Sequence, residues 1–214
     1  MKIHALYHRA AHGHPGRRTE QLILTLAGIQ GHFPTSPVRQ VLATDLHTLH
    51  QLGLEPGVLK EDLVLQDIDL HALASGSELV FGAVRLRLTV HCEPCKQVGT
   101  SVSTRTLMHR RGYLMQIMAP GPLTLGSPGH VRSDVYEEIP YRAVDRVAWY
   151  LRRLDGPIAS TQLMEALGLP MGMCRALPRM LRHIDPTDAG KVTFKSAERR
   201  ARAERLATQA RGQI

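Results

Sequence analysis

Hydrophobic and polar positions alternate most cleanly over residues 83–90. Val84, Leu86, Leu88 and Val90 fall on one face, with Arg85, Arg87 and Thr89 on the other. A period of two predicts a half-buried β-strand, and this one runs straight into His91-Cys92-Glu93-Pro94-Cys95. Less regular alternation predicts strands over residues 2–8, 62–70 and 112–118, and Glu78-Leu79-Val80-Phe81-Gly82 leads into the cleanest one. Ala74-Ser75-Gly76-Ser77, Pro120-Gly121-Pro122 and Pro128-Gly129 read as turns between them. Leu22, Ile23, Leu24, Leu26 and Ile29 form an apolar patch whose type the pattern leaves open. Many short strands with Gly/Pro turns fit a barrel or sandwich better than a βαβ layout.

Helical spacing recurs in two places. Within residues 38–54, Val38, Val41, Leu42, Leu46, Leu49 and Leu52 fit a helix over at least the second half, stopped by Gly53 and Pro56-Gly57. After Pro140, Val144, Val147, Ala148, Leu151 and Leu154 repeat at helical spacing up to Gly156-Pro157. Ser160 or Thr161 is placed to cap a second helix carrying Leu163, Met164 and Leu167. A third runs from Met173 to His183, kinked or delayed by Pro178. The expected architecture is therefore α+β. A mixed β-barrel covers residues 1–138, a small three-helix, helix-turn-helix-like domain covers 139–194, and a basic helical tail covers 195–214.

Charge follows the same division. The net charge is +8, but residues 1–138 carry 13 Lys/Arg against 12 Asp/Glu, while residues 139–214 carry 14 against 7. A one-sided basic segment favours phosphate-rich partners, with a solvated tail as the bland alternative. Three cysteines, Cys92, Cys95 and Cys174, are too few for a secreted disulfide scaffold. With no apolar leader at the N-terminus and no apolar run of about 20 residues, the expectation is a cytoplasmic protein with no membrane partner.

Cys92-x-x-Cys95 is the sharpest local feature. Structural zinc would need a second ligand pair, for which only His91 and Cys174 are at hand. A redox pair would need a helix start after a βαβ unit. A soft metal held by one thiolate on a rigid barrel loop fits best, against the alternative of two inert, partly buried cysteines. His4, His8 and His12 would stack on a helix, but a strand over residues 2–8 separates them.

Gly57-Val58-Leu59-Lys60-Glu61-Asp62-Leu63-Val64-Leu65, then Ile68-Asp69-Leu70, Phe81-Gly82-Ala83 and Leu86-Arg87-Leu88-Thr89-Val90, ending in Cys92-Glu93-Pro94-Cys95, resembles the MOSC family, the domains related to the C-terminus of molybdenum-cofactor sulfurase. Arg111-Gly112-Tyr113 and Pro120-Gly121-Pro122-Leu123 resemble its closing hairpin. The resemblance implies a mixed β-barrel with Cys95 as the molybdenum ligand and catalytic position. It also implies that Arg39, Lys60 and Asp62 border the cofactor. Some relatives reduce N-hydroxylated bases or amidoximes, and others are proposed sulfur carriers. The family's Glu-Asn pair is here Glu61-Asp62, and its Gly-Asp is here Gly31-His32. An Asp in place of an amide would repel an anionic pterin phosphate unless a base stands near it.

Val147 to Thr161, with Ala166-Leu167-Gly168-Leu169-Pro170 and Cys174-Arg175-Ala176-Leu177, more weakly resembles the DNA-binding domain of alkylguanine alkyltransferases and their relatives. That resemblance implies DNA contacts by Ser160, Thr161 and Arg175, with Arg179 and Arg182 on phosphates. The Pro-Cys-His-Arg motif is absent, which excludes alkyl transfer. Three functional readings stand, the last a barrel that has lost its cofactor and serves as a scaffold. The first is a molybdenum-dependent reductase or sulfur carrier acting on a nucleobase or similar small molecule. The second is a non-catalytic nucleic-acid-binding module that uses the basic C-terminal domain.

Overall fold

The computed structural model describes residues 1–11, 14–33, 35–93, 98 and 102–194. The chain divides into two compact units at Tyr141/Arg142.

The larger unit holds β1 (Lys2–His8), β2 (Arg17–Thr19), β3 (Gln21–Thr25), β4 (Gly28–Ile29), β5 (Val41–Asp45), helix α1 (Leu46–Leu52), β6 (Leu63–Gln66), β7 (Glu78–Phe81), β8 (Val84–His91), β9 (Tyr113–Ala119), β10 (Gly121–Thr124) and β11 (His130–Arg132). Eight of the strands form one curled sheet in the order β11-β7-β8-β9-β5-β6-β1-β2. Its pairings are antiparallel except β5 with β6. Parallel neighbours need a crossover, and α1 lies within it. Asp45 starts that helix by accepting from the Thr48 N–H at 2.7 Å and the Thr48 hydroxyl at 2.9 Å. Gly53 ends it in the left-handed conformation, φ 63°.

A second, three-stranded sheet has the order β10-β3-β4. The apolar patch of undecided type is thus β3, with Leu22 and Leu24 buried and Ile23 exposed. The turn expected at Pro120-Gly121-Pro122 is instead the point where the chain leaves the large sheet for the small one. Pro122 lies inside β10, which is tolerated because β10 is an edge strand.

The main core joins both sheets. Leu63, Leu65, Leu79, Leu86, Leu88 and Met115 are fully enclosed there. A separate cluster brings Ala5, Tyr7 and Val64 against Leu49 of α1, Leu59, Val98 and Leu107.

The smaller unit contains α2 (Ala143–Leu151), β12 (Ile158–Ala159), α3 (Ser160–Ala166), a 3-10 turn (Met171–Arg175), α4 (Leu177–Leu181), α5 (Pro186–Ala189) and β13 (Val192–Thr193). Val147, Leu151, Leu163, Met164, Leu167 and Leu177 form its core. Two expectations change here. The described residues hold four short α-helices and a parallel β12–β13 pair, not three helices alone. Ser160 does not cap α3: Ala159 occupies that position, Ser160 is buried, and Gln162 Oε1 accepts from the Ala159 N–H at 3.4 Å. Pro178 falls in the first turn of α4, where its missing N–H costs nothing, so this helix starts late.

Candidate functional site

The approach to Cys95 is fixed through the backbone. β8 ends at His91, paired with Tyr113 at the start of β9. The next residue donates its N–H to the Gly112 carbonyl at 2.8 Å, so Cys92 stays joined to the sheet edge of β9. Gly112 has φ 131°, and a Cβ there would lie 2.4 Å from the Ala43 carbonyl oxygen, so only glycine fits. Arg111 is buried and donates from Nη1 to the Glu93 carbonyl at 2.8 Å. The Cys92 thiol is enclosed, 3.9 Å from that same carbonyl. On the return side, Val98 and Leu107 are buried beside α1. Cys95 itself lies outside the described residues.

Beside this anchored flank stands an aromatic cluster. His71, on the 3-10 turn Leu70–Ala72 capped by Asp69, stacks on His91 with centroids 5.5 Å apart and rings within 9° of parallel. Tyr113 packs on His91 at 4.3 Å, and His109 meets it edge-on at 5.8 Å. Tyr141 lies 4.4 Å from His109. The Tyr113 hydroxyl donates to the Leu73 carbonyl at 3.3 Å. Burial pushes that hydroxyl's pKa up to about 12.

The histidines are less fully supplied. Nδ1 of His91 is buried without a hydrogen bond, and His71 has the His109 backbone carbonyl beside its ring. Asp45 Oδ2 is 3.9 Å from His71 Nε2, too far for one. Burial, helped by Arg110, lowers the His71 pKa against Asp45, Asp69 and the His109 carbonyl, which favour the charged ring. Burial also pushes His91 down to about 4, helped by His71 and His109. Both rings are therefore neutral at pH 7, each with one donor and one acceptor nitrogen. The described residues contain no group of three or more His, Cys, Asp or Glu arranged to hold a metal ion.

The residues expected to border a cofactor are placed differently. Asp62 is buried and fully engaged: Arg9 reaches Oδ1 through Nε at 3.1 Å and Nη2 at 2.8 Å, and the Leu42 N–H reaches Oδ2 at 2.8 Å. Through these bonds Asp62 ties β5, β6 and the end of β1 together. Burial raises its carboxyl pKa against the pull of Arg9. His32 Nε2 lies 3.4 Å from Asp62 Oδ1 but makes no hydrogen bond, and burial and Arg9 push its pKa down to about 4, so this contact is no ion pair. Lys60, half-buried at φ 59°, and Arg39, half-buried on the 3-10 turn Pro37–Arg39, flank the starts of β6 and β5. Asp62 and the Cys92 flank are separated along the sheet by β5 and β9, about 14 Å at normal strand spacing.

The MOSC resemblance implies a molybdenum cofactor, and the donor set agrees with an anionic group in charge. The base that Asp62 requires is Arg9. Burial raises the Glu61 pKa, against the pull of the Gly57 N–H that its carboxylate accepts.

In the smaller unit Arg175, Arg179 and Arg182 are exposed, and Thr161 is half-buried. Ser160 is buried. Cys174 packs against the unit's core, its thiol 3.9 Å from the Ser160 carbonyl.

Sequence reasoning missed His71, His109, Tyr113 and Arg9 as site-forming residues. No spacing announces them, because strand pairing and turns assemble them from distant segments. The one local signal was His91, immediately before Cys92.

Residues 32–130 match the family model for the MOSC domain. Solved structures of the same fold include the YuaD protein from Bacillus subtilis, 19% identical over 62% of this chain and 95% of that one, with a TM-score of 0.56. They also include YiiM from Escherichia coli, 19% identical over 86% of this chain and 94% of that one, with a TM-score of 0.51. No curated protein matches the chain. No helix among the described residues is long and apolar enough to cross a membrane.

Proposed function

We propose that the chain is a molybdenum-cofactor-dependent reductase of N-hydroxylated bases or related N-oxygenated small molecules. The supporting observation is the stacked, neutral His71–His91 pair beside the Cys92–Glu93 flank, with Nδ1 of His91 buried and without a hydrogen bond. Unpaired buried polar atoms are costly and rare in folded proteins, so a polar ligand that meets them is the economical explanation. A planar base laid against the edge of this aromatic cluster would offer both donors and acceptors to neutral imidazoles. Cys95 would hold the metal as a thiolate, and Arg39 and Lys60 would offer positive charge to the cofactor's phosphate. The bound cofactor would supply the two electrons that, with two protons, convert N–OH to N–H and water.

Metal quantification tests this reading. Protein co-expressed with cofactor-synthesis enzymes is expected to carry molybdenum, and Cys95→Ser to lose it. Molybdenum absent from both would end the reading. A Cys95-dependent persulfide in its place would make the protein a sulfur carrier.

A second reading has its own observation. The basic excess of residues 139–214 and the exposed Arg175, Arg179 and Arg182 favour nucleic-acid contact by the smaller unit. Affinity for DNA should then fall steeply with salt, and Arg175→Ala should reduce the slope. A flat, weak response would exclude it.

A further inference from the structure

The smaller unit contains a cavity of about 460 Å³, lined by Arg142, Val144, Asp145, Ala176, Arg179, Met180 and His183. Its size lies within the range of small-molecule sites. The lining is sorted by chemistry. Val144, Ala176 and Met180 give an apolar floor. Arg142, Arg179 and His183 give nitrogen donors, and Asp145 gives an acceptor. Asp145 lies 3.5 Å from the Arg142 guanidinium, so one arginine is matched within the protein and Arg179 remains to oppose an external charge.

Arg142, Val144 and Asp145 belong to the first turn of α2 and its N-cap. This nine-residue helix has no side-chain cap on its starting N–H groups. Uncapped N–H groups and the positive end of the helix dipole both favour an anion at that end. An apolar floor, cationic donors, an uncapped helix start and one carboxylate together describe an amphipathic anion that also carries hydroxyl or amine donors.

We propose that this cavity binds a nucleoside 5′-phosphate, either as the free nucleotide or as the phosphorylated end of a strand. The base lies on Met180 and Val144, the phosphate faces Arg179 and the start of α2, and Asp145 accepts from a ribose hydroxyl or a base amine. The proposal depends on neither Cys95 nor a molybdenum centre.

Calorimetric titration of the full chain tests it, with four probes: AMP, inorganic phosphate, and one oligonucleotide with a 5′-phosphate or a 5′-hydroxyl. Two variants accompany the wild type. Arg179→Ala alters the cavity, and Arg152→Ala removes an equally exposed charge elsewhere in the unit. The expected result is saturable binding of AMP or of the phosphorylated oligonucleotide, about tenfold weaker in Arg179→Ala and unchanged in Arg152→Ala. AMP binding alone identifies a free nucleotide. Binding of the phosphorylated oligonucleotide in preference to its 5′-hydroxyl form identifies a strand end. The proposal is overturned if neither binds, if both oligonucleotides bind alike and AMP does not bind, if inorganic phosphate binds as tightly as AMP, or if both arginine variants weaken binding equally.

Discussion

Two polar clusters in the larger unit are both enclosed, and they are finished differently. Glu78 is fully buried, and each of its oxygens is used. Oε2 accepts from Arg132 at 2.9 Å, Oε1 accepts from the Tyr136 hydroxyl at 2.8 Å, and Arg85 stands 3.7 Å away. The result ties β11 and the segment after it to β7 and β8. The histidine cluster beside Cys92 instead leaves the buried Nδ1 of His91 without a partner. A completed network fixes structure, and an incomplete one keeps hydrogen-bonding capacity for something else. Asp62 with Arg9 belongs to the first kind, although its position in the family pattern suggested the second.

The comparison can be broken in order of effect. Asp62→Ala should cost most, about 3–5 kcal/mol in denaturant unfolding, because it leaves the buried Arg9 guanidinium uncompensated. Glu78→Ala should cost less, about 1–3 kcal/mol, because Arg132 and Arg85 keep roughly half of their side chains in water. His91→Phe should change stability by only about 1 kcal/mol in either direction, since the ring contact with Tyr113 survives and a poorly satisfied polar group is removed. The same variant should nevertheless lose turnover of an N-hydroxylated base. A large stability loss in His91→Phe would place the histidines with Glu78 as structural groups.

A pH dependence tests the same contrast from another side. His91 stays neutral in the folded chain down to about pH 4, while an unfolded histidine takes up its proton near 6.5. The unfolded state therefore binds more protons between those values, and stability falls as pH drops through that window. His32 adds to the effect, and the raised Glu61 and Asp62 oppose it. These groups cancel in the difference between wild type and His91→Phe, so the variant should lose less stability on acidification. Equal losses would mean that His91 is not held neutral.

Much of the barrel was legible in the sequence. The alternation of Val84, Leu86, Leu88 and Val90 marks β8 because one face of that strand is buried, and Gly53 stops α1 where a left-handed residue is required. The family pattern over residues 57–95 then gave the fold as a whole. Other parts carried no signal. β12 and β13 are two residues each, too short for any period, and they meet across more than thirty positions. Arg9 and Asp62 are 53 residues apart, and nothing local predicts that an exposed-looking arginine near a glycine-rich loop neutralises a buried acid. The histidine cluster was hidden for the same reason. His71, His91 and His109 meet only after the β8–β9 pairing and the turn at Leu70–Ala72 have formed.

The claim that the histidine cluster is a ligand site is tested most directly by ¹⁵N NMR of the imidazole rings during titration with an N-hydroxylated purine or pyrimidine. The account predicts that the ring-nitrogen signals of His71 and His91 shift together and saturably, while those of the surface residue His130 stay fixed. Signals of His71 and His91 that do not move up to saturating ligand, or that move no more than those of His130, would contradict it.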